Sequence, residues 1–375
     1  MWGMLKKGGP PPGGGVVPGV VMDGIEGVVT SPPRTTPPSE DDWGHVLEAF
    51  GLDAEKYSVE GPVRHSAWEV PGHGVQHAYR AKVVLRPQHN SDIEDLLDSI
   101  YLEPVNNVTR DGNWLTIVLS DTHIGKSVDA GAGTGYLIDR WKTGVIRALE
   151  HHENIGGVNL VFAGDLIEGY TSQDGKMIAE CDLTLAEQLR ACQHLVSWTV
   201  QEILSHVDDL VVATVPGNHG ETTRKQSRPM SDNYDIMIVS AVQDAFSMVD
   251  SEMMRGKNVR WLYPDHTRGS VTYDCGGTVF TIVHGHLFKG QISGAEKWWS
   301  GHIANDSEEA FADILISGHF HNFHIESWTA KRWIVSAPAL EKESTWFRNR
   351  TGSTSYGGVL SFVTVDGVPR NINIF

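Results

Sequence analysis

Side chains able to bind metals or move protons fall in five short clusters: Asp121-Thr122-His123, Gly164-Asp165 followed by Glu168, Gly217-Asn218-His219, His284-Gly285-His286 and Gly318-His319-Phe320-His321. Mixed imidazole, carboxylate and amide donors suit Mn, Fe or Zn better than Ca. Seven of these side chains are too many for one structural zinc, which about four ligands close. The set therefore predicts two divalent ions, with Mn first and Fe or Zn as alternatives. A carboxylate such as Asp165 can bridge such a pair. Ions ~3.5–4 Å apart acidify a water and clamp the oxygens of an in-line displacement at phosphorus.

Spacing limits how the ligands are presented. Residues two apart share a side in extended backbone and diverge by roughly 200° in a helix. Asp121 with His123, and His319 with His321, are thus expected to reach one ion each from extended strand ends. Neighbours such as Asn218 and His219 point opposite ways in that conformation, so one can ligate while the other faces a substrate.

The elements that must hold these groups are readable upstream of each. Apolar, β-branched runs at Leu115–Leu119, Val158–Ala163, Leu210–Val215, Val279–Val283 and Ile314–Ile316 have strand length, and each runs directly into one cluster. Between them, Thr184–Val207 repeats apolar residues at spacings of three and four behind a Thr184/Glu187 capping box, a helix signature. The first three strands alternate with helical patterns as βαβ units, and the later ones lie closer together as antiparallel or mixed pairs. Ligands of α/β sheets bind beyond the carboxyl ends of the strands, so five such ends converge on one place.

The ordered set D-x-H, G-D, G-N-H, H and G-H-x-H resembles the calcineurin-like metallophosphoesterase family over Ser120 to about Asn322. The resemblance implies an α/β fold, the four-layer α/β/β/α sandwich. It implies that Asp121, His123, Asp165 and His321 hold one metal, and that Asp165, Asn218, His284 and His319 hold the other. His219 would not ligate; it would stabilise the transition state or protonate the leaving oxygen. Gly164–Tyr170 lacks the Arg with which phosphoprotein phosphatases grip a monoester, and Glu168 replaces their second Asp as a candidate orienter of His219. The Asn218-His219 pair is followed by Gly220, where many relatives place an acid. In these respects the chain looks more like the double-strand-break repair nuclease branch and phage-type phosphoesterases. The expected activity is hydrolysis of a phosphodiester, DNA first. The rivals are a small ester such as a cyclic nucleotide, and an inactive scaffold on the same fold.

Other signals are weaker. His286 is the alternative to His284 as ligand. Lys126, Arg224, Lys225 and Arg228 are candidates for phosphate contacts or a solvated loop face. Trp298 and Trp299 are candidates for base stacking, with core packing the commoner use. Gly131–Gly135 and Gly125-Lys126-Ser127 fail as nucleotide-binding loops for want of their flanking glycines and strand.

Composition bounds the rest. A chain of 375 residues, 40% hydrophobic and 21% charged, is not disordered throughout. No run of ~18 apolar residues suggests a membrane span, Lys6 and Lys7 precede Pro and Gly where a secretory signal would be apolar, and a cytoplasmic location is expected. Three cysteines without a C-x-x-C pair argue against disulfides or a Cys-based zinc site. A net charge of -17 opposes a surface that traps nucleic acid everywhere, though not a local site, and bound cations would offset part of it. Residues 1–40, with 9 Gly and 8 of the 17 Pro, are expected to form a disordered leader. Residues 41–110, with 12 acidic and 6 basic residues, form a small accessory module that could bind a protein partner. Residues 111–375 form the phosphoesterase domain.

Overall fold

Three strands apolar on both faces set the architecture of residues 89–375, one of two compact units of the chain. In this computed structural model the described residues are 17–23, 26–34, 40–70, 74–85, 113–127, 133–171, 181–223, 229–248, 254–290, 293–341 and 356–375. The strands are β5 (Asn113–Leu119), β6 (Ile155–Phe162) and β7 (Asp209–Thr214). Side chains alternate across a strand. Leu115, Ile117, Leu119, Val158, Leu160, Phe162, Leu210 and Val212 enter one core. Val118, Val161, Val211 and Ala213 enter a second.

The first core is closed by helices α2 (Thr134–His151), α3 (Leu185–His206) and α4 (Tyr234–Met248). Thr184 caps α3 with both halves of the capping box in place, so two otherwise orphaned backbone donors are satisfied reciprocally. Strands β5, β6, β7 and β8 (Asn258–Leu262) pair in parallel. The sheet is completed in the order β15-β14-β5-β6-β7-β8 by the antiparallel strands β14 (Leu360–Val365) and β15 (Val368–Ile374).

The second core is shared with a five-stranded sheet of order β12-β13-β11-β10-β9. Its strands are β9 (Ser270–Cys275), β10 (Thr278–Val283), β11 (Ile314–Ser317), β12 (His324–Thr329) and β13 (Arg332–Ser336). Phe280, Ile282, Ile314, Ile316 and Val335 point into that core. Val283, Leu315 and Ile334 point the other way, onto Phe288, Ala295 and Trp299, the last two from helix α5 (Ser293–Ala304). The β10–β11 pair is parallel and β9–β10 antiparallel, the mixed pairing expected for this half.

Residues 1–88 form the other unit. Strands β1 (Gly19–Asp23), β2 (Glu26–Thr30), β3 (Tyr57–Val70) and β4 (Gly74–Leu85) make an antiparallel sheet of order β1-β2-β4-β3. Helix α1 (Glu40–Ala49) packs Trp43, Val46 and Leu47 against Val29, Tyr79, Ala81 and Val83. Within the stretch expected to be a disordered leader, Gly19–Asp23 and Glu26–Thr30 are strands. Composition averaged over forty residues hid the Val20-Val21 and Val28-Val29 pairs, which suffice for a hairpin paired to β4. The expected boundary near residue 110 lies outside the described residues. Among the described residues no helix is long and apolar enough to cross a membrane.

Candidate metal centre

All five loops after β5, β6, β7, β10 and β11 meet. Three groups of donors lie with their ligand atoms within 4.8 Å of one another: Asp121, His123 and His321; His123, Asp165 and His219; Asp165, His284 and His319. Asn218 joins the third through its Oδ1, 3.2 Å from Nε2 of His284. Asp165 links the second group to the third, and His123 the first to the second.

The route by which residues two apart reach one side differs from expectation. Asp121, His123, Asp165, His319 and His321 all have left-handed backbone, with φ of 49°, 47°, 55°, 69° and 53°. The D-x-H and H-x-H motifs are compound turns, not extended strand ends. Asp121 and His123 enter one donor group as expected, whereas His319 and His321 part: His321 joins Asp121 and His123, and His319 joins Asp165 and His284. The loops are laced together: the Asp121 amide donates to Gly164 O at 3.0 Å and that of His123 to Asp165 O at 3.1 Å. The His319 amide donates to Asp121 Oδ2 at 2.8 Å and that of His219 to Asp165 Oδ1 at 2.7 Å. A Cβ on Gly164 (φ +89°) would come within 2.7 Å of His284 Nδ1 and 3.0 Å of Gly217 Cα, so glycine is needed for this approach.

Several rings have their outer nitrogen occupied. His284 Nδ1 donates to Ala163 O at 2.7 Å. His123 Nδ1 lies 2.8 Å from Glu168 Oε2, and His321 Nδ1 lies 3.5 Å from Glu341 Oε1. This leaves Nε2 of each for the centre, the arrangement by which an outer oxygen fixes the orientation of a ligating imidazole. His219 Nδ1 donates to the backbone carbonyl of Glu168 at 2.8 Å, and its ring packs edge-on to His123.

Electrostatics favours a cation here. Burial opposes charge on Asp121, but the adjacent His321 holds its carboxyl below the usual range; burial likewise opposes Asp165, which His284 holds down. Burial lowers His284 and His321, yet the carboxylates outweigh it and carry them up to about 9 and about 10. The two Nε2 atoms sit 3.0 Å from Asp165 Oδ2 and 3.3 Å from Asp121 Oδ1. Asp121 Oδ1 is buried without a hydrogen-bond partner. A buried carboxylate pair, imidazole nitrogens aimed inward and an orphaned oxygen fit a site for two divalent cations.

Sequence reasoning placed Glu168 beside His219. Its carboxylate is fully buried and does lie 3.6 Å from His219 Nδ1, but it meets His123 first, at 2.8 Å. The main-chain carbonyl of Glu168 is what bonds His219. His286 lies near His284 and His319, with ring centroids 5.4 and 6.2 Å away, outside the three donor groups. Lys126 Nζ is 3.0 Å from Glu341. Arg224, Lys225 and Arg228 lie outside the described residues. Trp299 is core, buried against Trp328 and donating to Glu309 O; half-buried Trp298 packs on Phe288 and His302.

Two acids went unnoticed in the sequence. Glu341 is buried between His321 and Lys126, which, against the effect of burial, hold its carboxyl below the usual range. Asp235, fully buried at the start of α4, accepts the amides of Asp165, Leu166 and Gly217. An acid ahead of a helix reads as a cap, and a lone Glu after a strand carries no signal.

No family model matches the chain, and no curated protein matches it. Among solved structures it is similar to a dimetal phosphatase from Danio rerio, with 9% identity, 68% of this chain and 94% of that chain covered, and a TM-score of 0.36. It is also similar to wild-type Vps29 from Entamoeba histolytica complexed with zinc (12% identity, 70% and 98% covered, TM-score 0.29). A third is a conserved uncharacterized protein, a predicted phosphoesterase, from Streptococcus pneumoniae (14% identity, 67% and 83% covered, TM-score 0.28).

Proposed function

We propose that this chain is a dinuclear metal-dependent phosphoesterase acting on a phosphodiester, with DNA as the first substrate to test. One observation carries the reading: donors from five separate loops form three overlapping groups, each with its ligand atoms within 4.8 Å of one another, and Asp165 is shared between two of them. Asp121, His123, Asp165 and His321 would hold one cation, and Asp165, Asn218, His284 and His319 the other. Two such ions, Mn first with Fe or Zn as alternatives, supply charge to neutralise phosphoryl oxygens and acidify water. His219 belongs to the donor group of His123 and Asp165, with Nδ1 bonded to Glu168 O; its Nε2 is assigned to pass a proton to the leaving oxygen instead of ligating. Glu168 and Glu341 orient His123 and His321. The cores on either side of the two sheets support the α/β/β/α layering.

The diester preference is supported by the Arg-free run Gly164–Tyr170 and by Lys126 being engaged with Glu341. The test compares bis(p-nitrophenyl) phosphate with p-nitrophenyl phosphate in Mn, then a labelled DNA. Diester turnover with nicking or resection is expected. Efficient monoester cleavage with no action on DNA would overturn the substrate reading in favour of a small ester. Protein that takes up no metal at micromolar Mn, and is unaffected by His219→Ala, would be an inactive scaffold.

A further inference from the structure

Asp235 is 0% exposed, yet none of its partners here is a cation. Its Oδ2 accepts the amides of Asp165 at 3.0 Å and Gly217 at 2.8 Å, and its Oδ1 accepts that of Leu166 at 2.9 Å. Its own amide donates to Asn233 Oδ1 at 2.9 Å, and Asn233 Nδ2 donates to Gly217 O at 2.8 Å. An ordinary first-turn acid serves its own helix terminus; this one spends its oxygens on two other loops, those that carry Asp165 and Asn218.

Gly220 completes the picture. A Cβ there would lie 2.7 Å from Asp235 Oδ2 and 2.9 Å from its Cγ, and would also collide with Asn233 Oδ1. A side chain on residue 220 and the carboxylate of residue 235 compete for one volume. The acid absent immediately after His219 is thus supplied from fifteen positions further along the chain.

We propose that Asp235 is a positioning residue for the metal centre: it clasps the Asp165 and Asn218 loops from beneath, in the space a side chain on residue 220 would take. Charged hydrogen bonds to backbone amides are short and strong, and three of them on one carboxylate fix Asp165 in its left-handed conformation and set its distance from Asn218. The clasp touches no substrate. The consequence for metal rests on the dinuclear reading, so the test separates the two.

Metal-free wild type is titrated with Mn against a fluorescent chelator, and amide hydrogen exchange is followed in the same metal-free protein. Asp235→Ala is expected to weaken Mn binding at least tenfold and to speed exchange at Leu166 and Gly217 at least tenfold, while α3 amides keep their protection. Gly220→Asp alone is expected to impair both, since its Cβ would meet Asn233 Oδ1 and the Asp235 carboxylate. Should Asp235→Ala fail to fold, Asp235→Asn keeps the shape, turns a donor toward one amide, and is expected to show a smaller loss of the same kind. Wild-type affinity and exchange in Asp235→Ala would overturn the proposal. If wild type itself binds no Mn, the dinuclear reading and the metal consequence fall together, and unchanged exchange would remove the clasp as well.

Discussion

Loading the centre with metal should expel protons. In the metal-free chain burial disfavours charge on His284, but Asp165 outweighs it and carries the ring to about 9; Asp121, with Glu341, carries His321 to about 10 against the same burial. Burial, reinforced by the charge of His284, takes His319 down to about 4 and leaves it neutral, and burial also lowers His123. At pH 7.5 both rings are therefore mainly protonated, so cations that claim both Nε2 atoms release about two protons. The apparent affinity should then rise steeply with pH between 7 and 8 and less steeply as pH approaches 9. Calorimetric titration with Mn in buffers of different ionisation enthalpy counts the protons directly. Release of less than half a proton at pH 7.5 would refute the picture of imidazolium groups occupying the place of cations. Stability follows the same sign. Both folded pKa values are raised above the ordinary 6.5, so their contribution in metal-free protein is complete below about pH 6.5 and lost as pH rises through about 9 to 10. Saturating Mn should abolish that alkaline loss in a thermal melt.

Further outcomes follow from named contacts. His219→Ala should lower kcat by roughly 10²- to 10⁴-fold, the usual worth of a general acid, with metal content unchanged by elemental analysis; loss of metal would instead make the ring, which stands in the donor group of His123 and Asp165, a ligand. Glu168→Gln should weaken Mn affinity by about 10- to 100-fold, the usual cost of losing the outer partner of a ligating histidine, because its carboxylate faces His123 Nδ1 at 2.8 Å. Thr184→Ala removes the side-chain half of the α3 capping box and should cost about 1 kcal/mol in urea unfolding, with metal binding unaltered. Phe162→Ala, in the fully buried core beneath α2 and α3, should cost about 3–5 kcal/mol by the same measurement.

How far the sequence reached depended on burial. Strands β5, β6, β7, β10 and β11 are covered on both faces, so they appear as mainly apolar, β-branched runs broken only by single residues such as Thr116, Asn159 and Thr281. Strand β12, His324–Thr329, has one largely exposed face and mixes His, Glu, Ser and Thr, leaving no period to read. The hairpin of β1 and β2 was masked by neighbouring Gly and Pro. The same rule applies to the centre. The donors that the structure gathers stand at strand ends in glycine-bearing motifs and read as a set. Asp235 acts through contacts 70, 69 and 18 residues distant and Glu341 through contacts 20 and 215 residues distant, and such partnerships exist only once the chain has folded.

Backbone conformation was the least legible part, and it bears most on chemistry. Among the described residues nine non-glycine positions have positive φ, and five of them are Asp121, His123, Asp165, His319 and His321. Each costs on the order of 1 kcal/mol against ordinary backbone, a penalty that would not collect in one place unless the surroundings imposed it. The imposing contacts are the amide bonds between loops: His123 to Asp165 O, His319 to Asp121 Oδ2, and the three amides gathered by Asp235. All of these bonds lie within the chain, so the donors are expected to stay gathered in metal-free protein. A centre arranged in this way should bind metal with little change in secondary structure or in the protection of its own loop amides. A folding transition on adding Mn, seen by circular dichroism, would mean that metal and not the protein gathers these loops.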